Sequence, residues 1–167
     1  MKKHYLLLQI NFEMNKQTLN YWNEFWQGKA VPTNVIAEQF GSAYTPLADE
    51  LAQQIIEGKK TATCPAHLFY ELENEPLPKV GDYTIVLNSK DEPLAIIRNT
   101  QIQIITMNEV TDEMAVLEAG SYNYWWESHV KFFTAELAEY EKEFSEDLLL
   151  VWTLFEVVDI KSNGKCI

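Results

Sequence analysis

Gly81-Asp82-Tyr83-Thr84-Ile85-Val86-Leu87-Asn88-Ser89-Lys90-Asp91-Glu92-Pro93-Leu94-Ala95-Ile96-Ile97-Arg98 decides the fold class. Gly81-Asp82 marks a turn, Tyr83 to Leu87 is a β-prone apolar run, and Ser89 to Pro93 is a polar reversal. Leu94 to Met107 then reads as a long strand carrying Ile96, Ile97, Ile102, Ile104 and Ile105. Two such runs across a short reversal predict an antiparallel hairpin.

Helical patterns flank this hairpin. Asn15 to Gln27 places Leu19, Trp22, Phe25 and Trp26 on one face, with Gly28 as its stop. Thr45-Pro46 opens a second helix, with Leu47, Leu51 and Ile55 as its stripe and Gly58 after its end. Thr61 to Cys64 is a short strand. Thr111 caps a short helix that stops near Gly120, and Asn123 to Phe144 reads as a longer one with Trp125, His129, Phe132, Phe133, Leu137 and Tyr140. Leu148 to Val158 is a final strand. Helices, strands, helices and a strand, without βαβ alternation, predict an α+β fold. No repeat or linker divides the chain, so residues 1–167 read as a single domain with an N-terminal helical extension at about 15–28.

The composition fits a packed core: 47% of residues are apolar and 13% aromatic. The charge is lopsided, with 13 Lys and Arg against 25 Asp and Glu, a net of −12. That field repels phosphate, so it disfavours broad grip on duplex DNA or long RNA and favours a small ligand in a narrow site. Cys64 and Cys166 match no zinc or redox spacing. A disulfide framework is not expected, which points to a reducing, cytoplasmic location. The apolar run Tyr5-Leu6-Leu7-Leu8 is too short for a signal-peptide core, and no stretch has transmembrane length, so no membrane role is expected.

The chemistry-bearing stretch is Glu57-Gly58-Lys59-Lys60-Thr61-Ala62-Thr63. A lysine beside a hydroxyl can act as its base when burial or neighbours lower the lysine pKa. The same residues also have structural uses, since lysines complement a helix C-terminus and threonines suit strands. Glu118 closes the last turn of the short helix, where the dipole would push its pKa upward, as suits an acid. On the residues alone, the plainer reading is an exposed glutamate whose penalty is screened away. His129 lies among aromatic residues and has no ligand spacing to His4 or His67, so no metal site is expected. Arg98 interrupts an apolar strand and either contacts an anion in a cleft or reaches to solvent.

Gly58-Lys59-Lys60-Thr61-Ala62-Thr63 resembles the G-x-K-x-[ST]-type motif of ASCH domains. Leu47 to Leu51 precede it in the right order. Pro76 to Tyr83, Ile96-Ile97-Arg98, Asn108-Glu109-Val110, Trp125 with His129, Phe144 to Asp147 and Phe155 to Val158 follow. The match spans most of the chain and resembles the longer bacterial members. It implies a PUA-like mixed β-barrel with flanking α-helices and a cleft beneath the lysine-bearing helix end. It also implies binding of RNA or a modified nucleoside. Some short members hydrolyse the acetyl amide of N4-acetylcytidine, and their lysine, threonine and glutamate fall on Lys60, Thr63 and Glu118. Lys59, Thr61, Arg98, Trp125 and His129 are the candidate substrate-binding residues around them. Pro65 stands where those members carry an arginine, and Ala119 stands where glycine is usual.

The leading expectation is therefore a cofactor-free hydrolase acting on an acylated pyrimidine nucleoside or base. The alternatives are a noncatalytic module for RNA or a modified nucleotide, and a ribonuclease. The expected partner is a small nucleoside or nucleotide, or single-stranded RNA; oligomeric state is not read from the sequence. A gel shift with random duplex DNA at physiological salt should show no submicromolar binding, and such binding would overturn the small-ligand preference.

Overall fold

The computed structural model describes residues 14–162. The N-terminal apolar run, His4 and Cys166 lie outside the described residues.

The hairpin forms as the apolar runs dictate. Strand β3 (Tyr83–Leu87) pairs antiparallel with β4 (Pro93–Thr106), Tyr83 opposite Arg98 and Ile85 opposite Ile96. Strand β4 outruns β3 because it pairs antiparallel with β5 (Leu149–Ile160) along nearly its whole length, from Ala95–Ile160 to Thr106–Leu149. Register shifts at Ile96/Ile97 and Asn99/Gln101 bend this ladder, as bulges do. Strand β1 (Val35–Glu38) runs parallel to β3, and the two-residue β2 (Ala62–Thr63) pairs antiparallel with β5. The order β1-β3-β4-β5-β2 makes a mixed sheet whose ladder is open, with β1 and β2 as its edges.

Alternation along the strands sends side chains to opposite faces. Ile85, Leu87 and Ile96 meet Tyr21 and Trp22 of α1 (Lys16–Trp26). Val86, Ala95, Ile97 and Phe155 meet Ala52 and Ile55 of α2 (Pro46–Ile56). At the far end of β4 and β5, Met107, Leu150 and Trp152 pack with the C-terminal helices: α4 (Asp112–Ala119), capped by Thr111, and α5 (Tyr122–Ala138), capped by Ser121. A short α3 (His67–Leu72) adds Phe69 there. Mixed sheet and flanking helices make this α+β, as the pattern of runs implies.

Several local expectations change. The buried stripe of α2 is Ala48, Ala52 and Ile55; Leu47 is exposed, because small residues let the helix approach the sheet closely. On α1, Leu19 points outward and Tyr21 takes its place, held by a hydrogen bond to Asp159. Helix α5 ends at Ala138 rather than continuing to Phe144, and Glu141 adopts a positive φ of 57° in the turn beyond it. Strand β1 and helix α3 carry no strong periodic signal; the sheet edge and the apolar floor beneath them create them.

The N-terminal helix is thus part of the core. Trp22 is 2% exposed and contacts Phe25, Trp26 and Tyr83, whereas Leu19 is 46% exposed. Trp22→Ala should cost about 3–5 kcal/mol in urea denaturation. Leu19→Ala should stay below about 1 kcal/mol. Equal effects would detach α1 from the core.

Candidate functional site

The end of α2 builds the first wall of the site. Gly58 takes φ = 71°, a left-handed conformation that glycine adopts without a side-chain clash. The Gly58 N–H donates to Ile55 O and the Lys59 N–H to Gln54 O, a Schellman closure. The chain then turns into β2, and burial alternates: Lys60, Ala62 and Cys64 are buried, Thr61 and Thr63 half-buried. Period two therefore commits Lys60 and Cys64 to the interior beneath α4 and α5.

Helix α4 supplies the partner. Its first turn carries Asp112 and Glu113, and Gly120 ends it in the left-handed region at φ = 80°. Glu118 thus sits in the final turn, directly before a sharp corner into α5. Trp125 lies seven residues on and faces it across that corner. The Thr61 N–H donates to Leu117 O at 2.8 Å and fixes β2 against α4.

Five side chains meet there. Lys60 Nζ donates to Glu118 Oε1 at 3.2 Å and to Ala62 O at 2.9 Å. Trp125 Nε1–H donates to Glu118 Oε2 at 2.8 Å, and the Cys64 thiol donates to the same oxygen at 2.7 Å. His129 Nε2 stands 3.4 Å from Glu118 Oε1 and 3.5 Å from Cys64 Sγ. His129 Nδ1 donates to Trp125 O at 2.7 Å, and the imidazole stacks on the Trp125 ring at 4.6 Å. Lys60 is 4% exposed and Glu118 7%.

Burial alone would raise the Glu118 carboxyl. Burial is the largest single influence, but Lys60, His129 and Cys64 together outweigh it and hold the group well below the usual carboxylate range. This reverses the direction expected from the helix dipole, because a buried ammonium at hydrogen-bond distance exceeds the fractional charge of a helix end. Glu118 is therefore ionised at neutral pH. Cys64 moves the other way: burial first, then the Glu118 carboxylate, push its thiol well above its ordinary value.

The remaining candidates lie apart. The Thr63 hydroxyl has no hydrogen-bond partner among the described residues, and Thr63 is half-buried where Lys60 is buried. Thr61 Oγ1 donates weakly to Leu117 O at 3.4 Å. Lys59 is exposed and pairs with Glu57 at 2.6 Å. Arg98 is exposed and pairs with Glu156 at 2.7 Å, so it serves the sheet surface. Two surface hollows, of about 430 and 310 Å³, border His67 and Glu71 and contain none of the five cluster residues. Cys64 escaped sequence reading because its partners stand 54 and 65 residues away. The period-two burial from Lys60 was the available signal.

A family model for the ASCH domain matches residues 36–159. The chain belongs to the ASCH family. Protein EF3133 of Enterococcus faecalis V583 is 38% identical over 87% of this chain and 90% of its own, with a TM-score of 0.80. An ASCH domain from Lactobacillus crispatus JV V101 is 28% identical over 90% of this chain and 99% of its own, with a TM-score of 0.82. No curated protein matches. This ASCH domain thus shares its mixed sheet and helical cover with solved relatives. Among the described residues no helix is long and apolar enough to cross a membrane.

A buried ion pair whose partner is removed leaves an uncompensated charge. Glu118→Gln and Lys60→Met should therefore each cost about 3–5 kcal/mol in urea denaturation at pH 7. The double substitution should cost clearly less than the sum, as expected for residues in one network. Strict additivity would mean that the pair is not coupled.

Proposed function

We propose that this ASCH domain is a hydrolase acting on the amide of an acylated pyrimidine nucleoside or base, of the N4-acetylcytidine type. ASCH domains are thought to bind RNA or act on modified nucleotides. The observation that carries the reading is the buried Lys60–Glu118 pair with His129 beside it. Such a pair is poor value for stability alone, and clustered, perturbed ionisable groups are characteristic of catalytic sites.

Charge pairing favours a neutral ligand over a phosphate backbone. Each cation put forward for anion contact already has a carboxylate: Lys59 has Glu57, Lys60 has Glu118 and Arg98 has Glu156. That counts against the ribonuclease alternative, which needs free positive charge along a strand.

In the proposed reaction Lys60 accepts the Thr63 hydroxyl proton as Thr63 Oγ1 attacks the amide carbonyl. The C–N4 bond breaks, the proton passes from Lys60 to the leaving amine, and water hydrolyses the acyl-enzyme to the free acid. Glu118, ionised at neutral pH, holds and orients Lys60 instead of donating a proton. The route requires Lys60 first to release a proton to solvent, then to leave its bond to Ala62 O and swing toward Thr63.

That requirement is the specific observation behind the second reading, a noncatalytic nucleoside-binding module. In it the cluster stays closed on its own hydrogen bonds and orders the surface that meets the ligand.

Incubation of the wild type with N4-acetylcytidine, followed by mass spectrometry, separates the two. Hydrolysis predicts cytidine and acetate. Lys60→Ala and Thr63→Ala should each lower turnover at least about 100-fold, and the double variant should be little worse than either. Wild-type protein that binds the nucleoside and leaves it intact overturns the hydrolase reading in favour of the module.

A further inference from the structure

Three side chains of the cluster share a property that the hydrolase reading does not use. Cys64, Glu118 and His129 each offer one metal-ligating atom, and these atoms lie within 4.8 Å of one another. They come from three separate pieces of chain: the residue after β2, the last turn of α4 and the second turn of α5. We propose that Cys64 Sγ, Glu118 Oε1 and His129 Nε2 form a binding site for one divalent transition-metal ion of the zinc type. The inference rests on this geometry alone and does not depend on the proposed hydrolase activity.

The distances can be tested against a tetrahedral ion. Zinc lies about 2.3 Å from a thiolate, about 2.0–2.1 Å from imidazole nitrogen and about 2.0–2.2 Å from carboxylate oxygen. At tetrahedral angles those bonds set sulfur and nitrogen about 3.5 Å apart, and nitrogen and oxygen about 3.4 Å apart. Sγ–Nε2 is 3.5 Å and Nε2–Oε1 is 3.4 Å. The Cys64 thiol donates to Glu118 Oε2 at 2.7 Å, so its proton must leave for the sulfur to ligate.

The surroundings are those of a ligand set. A carbonyl only accepts, so the bond from His129 to Trp125 O occupies Nδ1–H and leaves Nε2, 3.5 Å from Cys64 Sγ and 3.4 Å from Glu118 Oε1, as the ring nitrogen available to ligate. Metal-binding histidines are typically fixed in this way by their other nitrogen. Stacking on Trp125 holds the ring plane. Trp125 Nε1–H and Lys60 Nζ donate to the two Glu118 oxygens, as hydrogen-bond donors around a ligating carboxylate do. One thiolate, one imidazole and one carboxylate suit zinc, cobalt or nickel and exclude the all-oxygen preference of magnesium and calcium.

The proton and charge balance is explicit. The thiol and M²⁺ become a metal thiolate and one released proton. Metal, thiolate and carboxylate then sum to zero, and the Lys60 ammonium is left over. The fourth ligand should therefore be an anion, hydroxide or a ligand carboxylate, which neutralises the buried site. The sequence predicts no metal here, because motif spacing cannot register ligands brought together from three elements.

The test uses the full-length protein stripped with a chelator and then titrated with Co²⁺ and with Zn²⁺. One equivalent of Co²⁺ should produce a thiolate-to-metal charge-transfer band together with tetrahedral d–d absorption, and Zn²⁺ should displace both. Cys64→Ser should abolish the charge-transfer band, while Cys166→Ser should retain it. His129→Ala should weaken Zn²⁺ binding at least about 100-fold by calorimetry. Circular dichroism checks that each variant is folded; His129→Gln replaces any that is not. No charge-transfer band in the wild type, or a band that survives Cys64→Ser, overturns the proposal. Since every readout is metal binding, failure here leaves the hydrolase reading untouched, and loss of hydrolase activity leaves the metal site untouched.

Discussion

The ion pair between Lys60 and Glu118 constrains everything around it. Each charge loses its water, at an effective cost of several kcal/mol per ion, and regains it only through the partner and its other bonds. Lys60 has Glu118 and Ala62 O; Glu118 has Lys60, Trp125 and Cys64. These bonds are available because three backbone events coincide. The Schellman turn at Gly58 sends Lys60 inward, the Thr61–Leu117 bond locks β2 to α4, and the corner at Gly120 returns Trp125 over Glu118. The two glycines needed for these turns flank the two charges they position.

Against the net charge of −12, the site has an unusual electrostatic character. Its ammonium is neutralised at 3.2 Å, and Lys59 and Arg98 are neutralised at the surface. A polyanion approaching this protein meets a repelling field, and at the proposed site the cations Lys59, Lys60 and Arg98 already hold carboxylates. A neutral base or nucleoside loses nothing to that field, and it can gain from hydrogen bonds and from aromatic rings such as those on α5. Under the proposed function, a preference for a neutral ligand over long nucleic acid would arise from the same pairing that makes burial of Lys60 tolerable.

The parts of the fold legible in the sequence are those where local chemistry is unopposed. The β3–β4 hairpin, the Thr111 cap and the glycine stops follow from residues within one turn or strand. What escaped depends on partners distant in sequence. Strand β1 exists because β3 offers an edge, and Leu19 yields to Tyr21 on α1 because Tyr21 reaches Asp159 on β5. The site divides the same way. Lys60 and Glu118 drew notice as local oddities, a lysine entering a strand and a carboxylate at a helix C-terminus. The direction of the Glu118 shift was misread because the dipole is local and the ammonium arrives from 58 residues away.

The parity of β2 carries the remaining weight. A strand presents alternate residues to opposite faces, so Lys60 cannot share a face with both Thr63 and Cys64. The observed parity gives Lys60 to Cys64, with Ala62 between them at zero exposure and Thr63 against the other side. The motif lysine and motif threonine are three positions apart, an odd interval, and in a regular strand an odd interval separates rather than joins. If they act together on a substrate, it must be at the frayed start of β2, where only Ala62 and Thr63 are laddered and Lys60 precedes the strand. There the backbone is held by the Schellman turn instead of by sheet pairing, and the lysine side chain is long enough to reach either face. A two-residue edge strand is therefore the element on which the choice between chemistry at Thr63 and ligation at Cys64 turns.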